Sequence, residues 1–325
     1  MIFATQVVLT HAHEHIGLTI PNFISHLPGV PAFFFISGFL IYASYINVPS
    51  RRYFENRFLR LFPGLIVVTI AGAIIVLFAH GWRDLFDNIT TYVIWFLAQI
   101  TIGQAYNPGL FRDVGVGVIN GSLWTLTTEI LFYLSVPIIV WLERRFRFTV
   151  IVLLVLSFII YLIGPLVFTV TIYRQKTIYN IIGLTPLAWG WMFAVGILAV
   201  KHFAYIQRCL PYMPWLIIPM ILMIFFGNGS LFGSSGNNLG LIYFLCYIGM
   251  VLWFAFVVPF VRLHFDLSYG AYIWHMPAIN ILLVLGEQSA LLSIILTYLF
   301  AMLSWFLVEK PALKLKRQSL IPIVT

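Results

Sequence analysis

The sequence predicts an all-α polytopic membrane protein with about ten transmembrane helices and one further re-entrant or interfacial segment at 88–105. Three observations carry this prediction. First, 62% of the 325 residues are apolar, only 9% are charged, and the mean hydropathy is +1.00. Second, the apolar stretches approach the length of about 20 residues that a helix needs to cross a hydrocarbon core. Third, they lack the two-residue alternation of membrane β-strands, which leaves helices as the spanning structure.

The apolar stretches follow one another along the chain. They lie at 1–18, 29–46, 63–80, 88–105, 123–142, 149–170, 182–200, 212–227, 238–260, 269–286 and 290–308. The stretch 88–105 is the most polar, because it contains Gln99 and Gln104 and follows the charged residues Arg83, Asp84 and Asp87. We therefore expect ten stretches to cross the membrane and 88–105 to remain at one face.

The distribution of positive charge predicts the orientation of these helices. The net charge of +8 would suit a nucleic-acid partner, but most basic residues cluster between apolar stretches. The clusters are Arg51, Arg52, Arg57 and Arg60; Arg144, Arg145 and Arg147; Lys201 and Arg208; Arg262; and Lys310, Lys314, Lys316 and Arg317. If 88–105 does not cross, every cluster lies on one side, which the positive-inside rule makes cytoplasmic. Both termini are then cytoplasmic, the loops 81–122, 171–181 and 228–237 face outward, and no nucleic-acid partner is expected.

The chain shows no internal repeat and no low-complexity segment. We therefore expect a single transmembrane domain at 1–311, followed by a short basic cytoplasmic tail at 312–325. Cys209 and Cys246 have neither metal-ligand nor disulfide spacing, so we interpret them as packing residues.

Three histidines and a glutamate follow the first apolar run. On a helix, His11, Glu14 and His15 share one face, whereas His13 points elsewhere. Histidine titrates near neutral pH and suits general-base catalysis. A loop just outside the membrane is the alternative interpretation. The string also matches the H-x-x-E-H zinc pattern, but no third ligand is evident and no metal is expected.

Three further charged residues lie in or beside apolar stretches. Arg57 and Arg60 are one helical turn apart where a span begins, and guanidinium groups bind phosphates and carboxylates bidentately. A positive-inside anchor is the alternative for this pair. Glu129 precedes the apolar run Ile-Leu-Phe-Tyr, so it should face other helices and have a partner there. A structural hydrogen bond between helices is the alternative for Glu129.

Two other segments combine polar or small residues with apolar neighbours. Tyr272 and His275 share a helix face, and Pro277 should free a backbone carbonyl just past the histidine. A buried polar packing network explains the same pattern. Ser37 and Gly38 would let another helix or a ligand approach closely.

Six blocks, taken in order, resemble the membrane acyltransferase-3 family, whose members are O-acyltransferases that modify bacterial polysaccharides and related substrates. The blocks are Val7–His11, Phe33–Ile41, Arg57–Pro63, Ser122–Tyr133, Leu267–Pro277 and Val308–Pro311. The family's first helix carries an arginine or lysine eleven positions before the histidine. Counting back from His11 reaches the position before Met1, so we expect this chain to lack part of the family's N-terminus.

The resemblance implies transfer of an acyl group, usually acetyl, from acyl-CoA to a hydroxyl of a glycan or lipid-linked sugar at a bacterial inner membrane. It implies that His11 is the general base and that Glu129 orients or polarises a histidine. Arg57 and Arg60 would bind the phosphates of the donor, acetyl-CoA. The expected substrate-binding residues are Glu14, His15, Ser37, Trp124, Tyr272 and His275.

A transporter or flippase is the rival function, because it would also place histidine and glutamate within the membrane to couple a proton or bind an anion. The lack of internal repeats argues against it. A polytopic scaffold or receptor would not need buried ionisable residues.

Overall fold

In a computed structural model, which describes residues 1–48, 51–169, 181–259 and 265–316, the chain is helical and these residues contain no strand. The prediction of an all-α protein is confirmed. Residues 171–180 of one expected outer loop, Arg262, and residues 317–325 of the expected tail lie outside the described residues.

The α-helices follow closely upon one another. They are α1 (Ile2–Ile16), α2 (Gly29–Asn47), α3 (Arg51–His80), α4 (Trp82–Asp87), α5 (Ile89–Gln99), α6 (Trp124–Glu143), α7 (Thr149–Thr169), α8 (Pro186–Lys201), α9 (Phe203–Cys209), α10 (Ile217–Phe226), α11 (Gly229–Phe232), α12 (Leu241–Phe256), α13 (Ser268–Val284), α14 (Ala290–Ser304) and α15 (Lys310–Lys314). Short 3₁₀ turns cover Asn22–His26, Gly109–Phe111, Gly121–Leu123 and Leu210–Leu216, and a π-helical turn covers Trp305–Glu309.

Six helical segments of the described chain are long and apolar enough to cross a membrane. They are Asn22–Asn47, Arg51–His80, Gly121–Glu143, Ile181–Lys201, Phe203–Phe226 and Ala290–Lys314. Within the stretch 88–105, helix α5 has 11 residues. Such a helix rises only about 16 Å, roughly half the thickness of a hydrocarbon core. Its length therefore agrees with the expectation that 88–105 does not cross.

Local sequence explains several helix ends. Gly17 adopts φ 73°, a left-handed conformation that glycine tolerates without steric cost, and it ends α1. The Thr185 hydroxyl accepts a hydrogen bond from the backbone N–H of Leu187 and caps α8, which starts with proline. Ser289 caps α14 in the same way.

The chain forms two compact units. The first contains Met1–Ile20, Asn47–Ile130 and Phe265–Thr325, and the second contains Pro21–Ile46 and Leu131–His264.

Helix α13 lies at the centre of the first unit. It packs against α1, α3 and α14, and every residue from Tyr269 to Asn280 is buried. Gly270 allows α14 to approach, since a Cβ atom there would lie 3.0 Å from the Cα atom of Ala301. A helix that is buried on all sides must pair its polar groups with neighbouring protein groups.

Pro277 creates one such requirement within α13. Proline has no N–H, so the carbonyl of Ile273 loses its helical partner. The side-chain amide of Asn120 donates to this carbonyl at 2.8 Å. The loop before α6 therefore supplies the hydrogen bond that the helix lacks. The sequence predicts the freed carbonyl but not its partner.

Asn280 fixes the same loop to α13. Its Oδ1 accepts from the backbone N–H of Val116 at 2.8 Å, and its Nδ2 donates to the carbonyls of Val118 and Ile119 at 3.0 and 2.9 Å. Gly115 has φ 58°, and a Cβ atom there would lie 2.0 Å from Asn280 Oδ1. The close approach therefore requires glycine at this position.

In the second unit, helices α2 and α8 meet at two glycines. A Cβ atom on Gly38 would lie 2.0 Å from the carbonyl oxygen of Phe193, and one on Gly196 would lie 2.2 Å from that of Phe35. The expectation that Ser37 and Gly38 permit a close approach is confirmed for Gly38, and the approaching group is a helix.

We predict that Gly38→Ala strongly destabilises the protein, because the added methyl group must displace the α8 backbone rather than a flexible side chain. Overpacking of this kind costs about 1–3 kcal/mol or more. The thermal unfolding temperature of the detergent-solubilised protein measures the effect. Gly109→Ala is the control, since a Cβ atom there meets nothing within 4 Å. Equal unfolding temperatures for both variants would contradict the prediction.

We also predict a coupling between Asn120 and Pro277. Asn120→Ala leaves the Ile273 carbonyl buried and unpaired, at a cost of about 1–3 kcal/mol. Pro277→Ala restores a helical N–H for that carbonyl, so the double variant should lose less stability than the sum of the two single changes. Denaturant or thermal unfolding of the four proteins measures this coupling.

Asn107→Ala is the matched control for this cycle, because its amide donates to Gly117 within the loop and not to α13. Its effect should simply add to that of Pro277→Ala. A strictly additive Asn120→Ala and Pro277→Ala pair would show that the amide does not serve the freed carbonyl.

Candidate active site

Three histidine rings stack in the first unit. His11 Nδ1 lies 2.8 Å from His275 Nε2, and the two ring centroids are 4.8 Å apart at an interplanar angle of 18°. His15 stacks one turn further along α1, with its centroid 5.9 Å from that of His11. His275 is fully buried, His11 is half-buried and His15 is exposed. The stack therefore leads from the interior of the unit to its surface.

The helical spacing in α1 accounts for which histidines take part. The prediction that His11 and His15 share a face agrees with their stacked rings, and Glu14 is exposed beside them. His13 turns away, and its Nδ1 contacts the carbonyl of Leu18. Among the described residues, no three His, Cys, Asp or Glu side chains are placed to hold a metal ion.

Tyr272 joins the histidines to the start of α6. Its ring centroid lies 6.0 Å from that of His275, and its hydroxyl lies 2.5 Å from Thr125 Oγ1. The hydroxyl also donates to the carbonyl of Ser122 at 3.1 Å. These buried contacts fix Tyr272 beside the histidine pair. The spacing of three residues between Tyr272 and His275 on one helix predicts that the two side chains are neighbours.

Glu129 and Trp124 lie in the first turns of α6 and are both half-buried. Glu129 is within electrostatic reach of the hydroxyl groups of Tyr269 and Tyr272. The partner that His11 meets in the structure is His275. Ser37 belongs to the second unit, where it is half-buried in α2.

A second group of ionisable residues surrounds the start of α13. Arg60 donates to the carboxylate of Asp266 at 2.8 Å, and its guanidinium lies 5.9 Å from the centre of the Tyr269 ring. Asp266 also accepts from the backbone N–H and hydroxyl of Ser268, the first residue of α13. Burial opposes the ionisation of Asp266, but the charge of Arg60 and these hydrogen bonds outweigh it and lower the pKa of the carboxyl group.

Arg57 lies one turn before Arg60, with its guanidinium 5.8 Å from the centre of the Tyr53 ring. Lys316 is a third cation at this place. Burial and the nearby charges of Arg60 and Arg57 lower the pKa of Lys316 to about 8. In the sequence, Lys316 is recognisable only as a member of a basic cluster. It is far from Arg57 along the chain, so the sequence does not predict that the two side chains lie near each other.

Glu309 is a buried carboxyl group near Arg60 that belongs to the family block Val308–Pro311 but is not among the predicted site residues. It ends the π-helical turn and is 1% exposed. Ser304 donates to its Oε1 at 2.8 Å, while Oε2 is buried without a hydrogen-bond partner among the described residues. π-Helical turns are rare and often lie at functional sites. The sequence feature that could have identified Glu309 is a glutamate directly after an apolar stretch and followed by Lys-Pro.

The two groups lie along one helix. From Ser268, next to Asp266, to His275 the axis of α13 rises about 10 Å. One end offers cations suited to phosphate groups, and the other offers an imidazole pair suited to proton transfer. This arrangement fits a substrate that is anionic at one end and reactive at the other.

Comparisons with known proteins point to the same class of chemistry. The chain is 29% identical to "Nodulation protein 10" of Rhizobium leguminosarum bv. viciae, in an alignment that covers 96% of this chain and 91% of the relative. It is 28% identical to an "O-acetyl transferase" of Shigella phage Sf6, over 95% of this chain and 93% of that protein. No solved structure matches the chain.

Residues 1–310 match the model of a protein family whose description is "Acyltransferase domain". This match covers nearly the whole chain and contains every candidate residue discussed above except Lys316. The expected resemblance to membrane acyltransferases is therefore confirmed, and the chain belongs to the acyltransferase-3 family of enzymes.

Proposed function

We propose that this protein is an integral-membrane O-acetyltransferase that moves an acetyl group from acetyl-CoA to a hydroxyl of a glycan or lipid-linked sugar. Family membership supports acyl transfer, and the relative named "O-acetyl transferase" supports an oxygen acceptor. The single observation that carries the proposal is the pairing of His11 with the buried His275 at 2.8 Å. This pairing engages Nδ1 of His11, so Nε2 would be the nitrogen that acts on the substrate.

His11 acts as the general base in this proposal. Its Nε2 removes the proton from the acceptor hydroxyl while the hydroxyl oxygen bonds to the thioester carbonyl carbon. The carbon–sulfur bond then breaks, and His11 returns the proton to the departing thiolate, which leaves as the CoA thiol. A positioned base of this kind contributes about 10²–10⁴-fold to a rate.

The cationic group at the start of α13 binds the donor phosphates. Arg57 and Arg60 belong to the same face of α3, and Lys316 shares their electrostatic environment. Three cations in one place favour a polyanion, and Asp266 holds Arg60 in position through their ion pair. Glu129 would then act on the tyrosines Tyr269 and Tyr272, since those hydroxyl groups feel its charge.

The acceptor approaches from the exposed end of the histidine stack. Glu14 and His15 are exposed there and can donate or accept hydrogen bonds to sugar hydroxyls. Tyr272 and Trp124 would line the inner part of this route. Ser37, which belongs to the second unit, stays a predicted substrate-binding residue.

We also propose the membrane arrangement that the charge pattern favours. Both units act as one transmembrane domain at 1–311 with ten spans and both termini in the cytoplasm of a bacterial cell. The six long apolar segments support part of this topology. The proposed donor site then lies on the cytoplasmic side, where acetyl-CoA is available, because Arg57 and Arg60 belong to a positive-inside cluster.

We predict that His11→Gln lowers kcat for acetyl transfer by about 10²–10⁴-fold with little change in KM for acetyl-CoA. The measurement is transfer of label from acetyl-CoA to the glycan fraction in membranes of the organism that encodes the protein, after replacement of the gene. His13→Gln is the matched control, since this histidine is exposed and its Nδ1 contacts the backbone carbonyl of Leu18 just after α1. Unchanged transfer by His11→Gln would refute the role of His11 as base.

We predict that Lys316 makes donor binding depend on pH. Lys316 carries its charge below about pH 8 and loses it above, so KM for acetyl-CoA in the wild-type enzyme should rise as the pH passes through about 8. Lys316→Met should raise KM several-fold at neutral pH, leave kcat unchanged and abolish this rise. The other ionisable groups that face the site are Arg57, Arg60, Asp266 and Glu309, and none of them is changed in the Lys316→Met variant.

Lys314→Met is the control for this experiment, because Lys314 is exposed two residues earlier in the same cluster. It should retain the wild-type dependence of KM on pH. If Lys316→Met retains that dependence too, another group titrates and Lys316 does not bind the donor.

A further inference from the structure

We propose that His275 is a positioning residue that holds His11 in the tautomer with a proton on Nδ1 and a lone pair on Nε2. The inference rests on the proposed role of His11 as base. It goes beyond that role because it names the group that selects the active form of the imidazole. The resemblance implies substrate binding for His275 and assigns histidine orientation to Glu129, so this is a different assignment for both residues.

The geometry restricts the pair to two arrangements. When both rings are neutral, one hydrogen lies between His11 Nδ1 and His275 Nε2, which are 2.8 Å apart. In the first arrangement His11 donates this hydrogen, and its Nε2 is a bare acceptor. In the second arrangement His275 donates, and His11 Nε2 carries a hydrogen. Only the first arrangement gives His11 a nitrogen that can accept a proton from a hydroxyl group.

The surroundings of His275 favour the first arrangement. The carbonyl groups of Tyr272 and Ala271, in the preceding turn of α13, act on its ring, although Nδ1 makes no well-aligned hydrogen bond. A carbonyl oxygen attracts an N–H group and repels a nitrogen lone pair. In the arrangement that we propose, Nδ1 of His275 therefore carries the hydrogen. Its Nε2 is then an acceptor, and His11 must be the donor.

The fold keeps both rings in place. His275 lies in the stretch of α13 that is buried on every side, with Tyr272 against it. His15 stacks on His11 at an interplanar angle of 5°, and Glu14 lies beside it on the same helix. When His11 takes a proton at Nε2 it becomes an imidazolium, and its hydrogen bond to neutral His275 becomes charge-assisted and stronger. The stabilisation therefore grows as proton transfer proceeds.

Two substitutions of His275 separate the acceptor atom from the packing of the ring. His275→Phe keeps a ring but removes the acceptor, whereas His275→Gln places an amide oxygen near the position of Nε2. We expect His275→Phe to lower kcat by about 10²–10⁴-fold, as loss of the orienting partner does in hydrolytic triads, with KM for acetyl-CoA within about twofold of wild type. His275→Gln should recover most of this loss.

Nitrogen NMR of the isotopically labelled protein tests the tautomer without any turnover. In the wild type we expect a protonated Nδ1 and a bare Nε2 on His11, and in His275→Phe a mixture of both tautomers. A protonated Nε2 on His11 in the wild type would overturn the inference. So would a kcat for His275→Phe equal to that of wild type, or a loss in His275→Gln as large as in His275→Phe.

The same experiments separate this inference from the proposed function. If His11→Gln keeps full transfer activity, His11 is not the base and the proposed function fails at its first step. If His11→Gln is inactive while His275→Phe is fully active, the base stands and only the role of His275 is wrong. Thermal unfolding of each variant shows whether a loss of activity is instead a loss of folded protein.

Discussion

Helix α13 is buried at every residue from Tyr269 to Asn280, and this burial imposes the constraint from which the rest of the first unit follows. Each polar group on a helix with no access to water must be paired by a neighbouring element. The carbonyl freed by Pro277 is paired by Asn120, the amide of Asn280 is paired by the loop backbone, and His275 is paired by α1. The contacts that pair the polar groups of α13 therefore also fix the positions of the loop before α6, the start of α6 and helix α1.

This constraint also joins the two parts of the candidate site. The cationic group lies at the first turn of α13 and the histidine pair lies two turns further along, so a single rigid element sets their spacing. Arg60 reaches that element through Asp266, and His11 reaches it through His275. In the proposed function, such a fixed separation would hold the charged end of the donor and its reactive thioester in place at the same time.

The sequence predicts those features that depend on periodicity or local chemistry. Helical class, the non-crossing length of α5, the shared face of His11 and His15, and the close approach at Gly38 all follow from spacing and residue size. Pairings between distant segments cannot be derived in this way. Asn120 lies in a loop, Asn280 lies within a helix and Lys316 lies beyond the last helix, and only the fold shows what each one faces. Glu129 illustrates the reverse case, since its isolation in an apolar run marks it as important without naming its partner.

The π-helical turn at Trp305–Glu309 has a consequence for how such chains diverge. A π turn contains one residue more than an α turn, and removal of that residue would rotate everything beyond it by about 100°. Lys316 follows Glu309 by seven positions, so its alignment with Arg57 and Arg60 depends on this extra residue. A relative with one residue fewer in the turn would have to supply the third cation from another position, even if every other charged residue were retained. Alignment gaps at this turn would therefore mark changes in the proposed donor site that residue identity alone conceals.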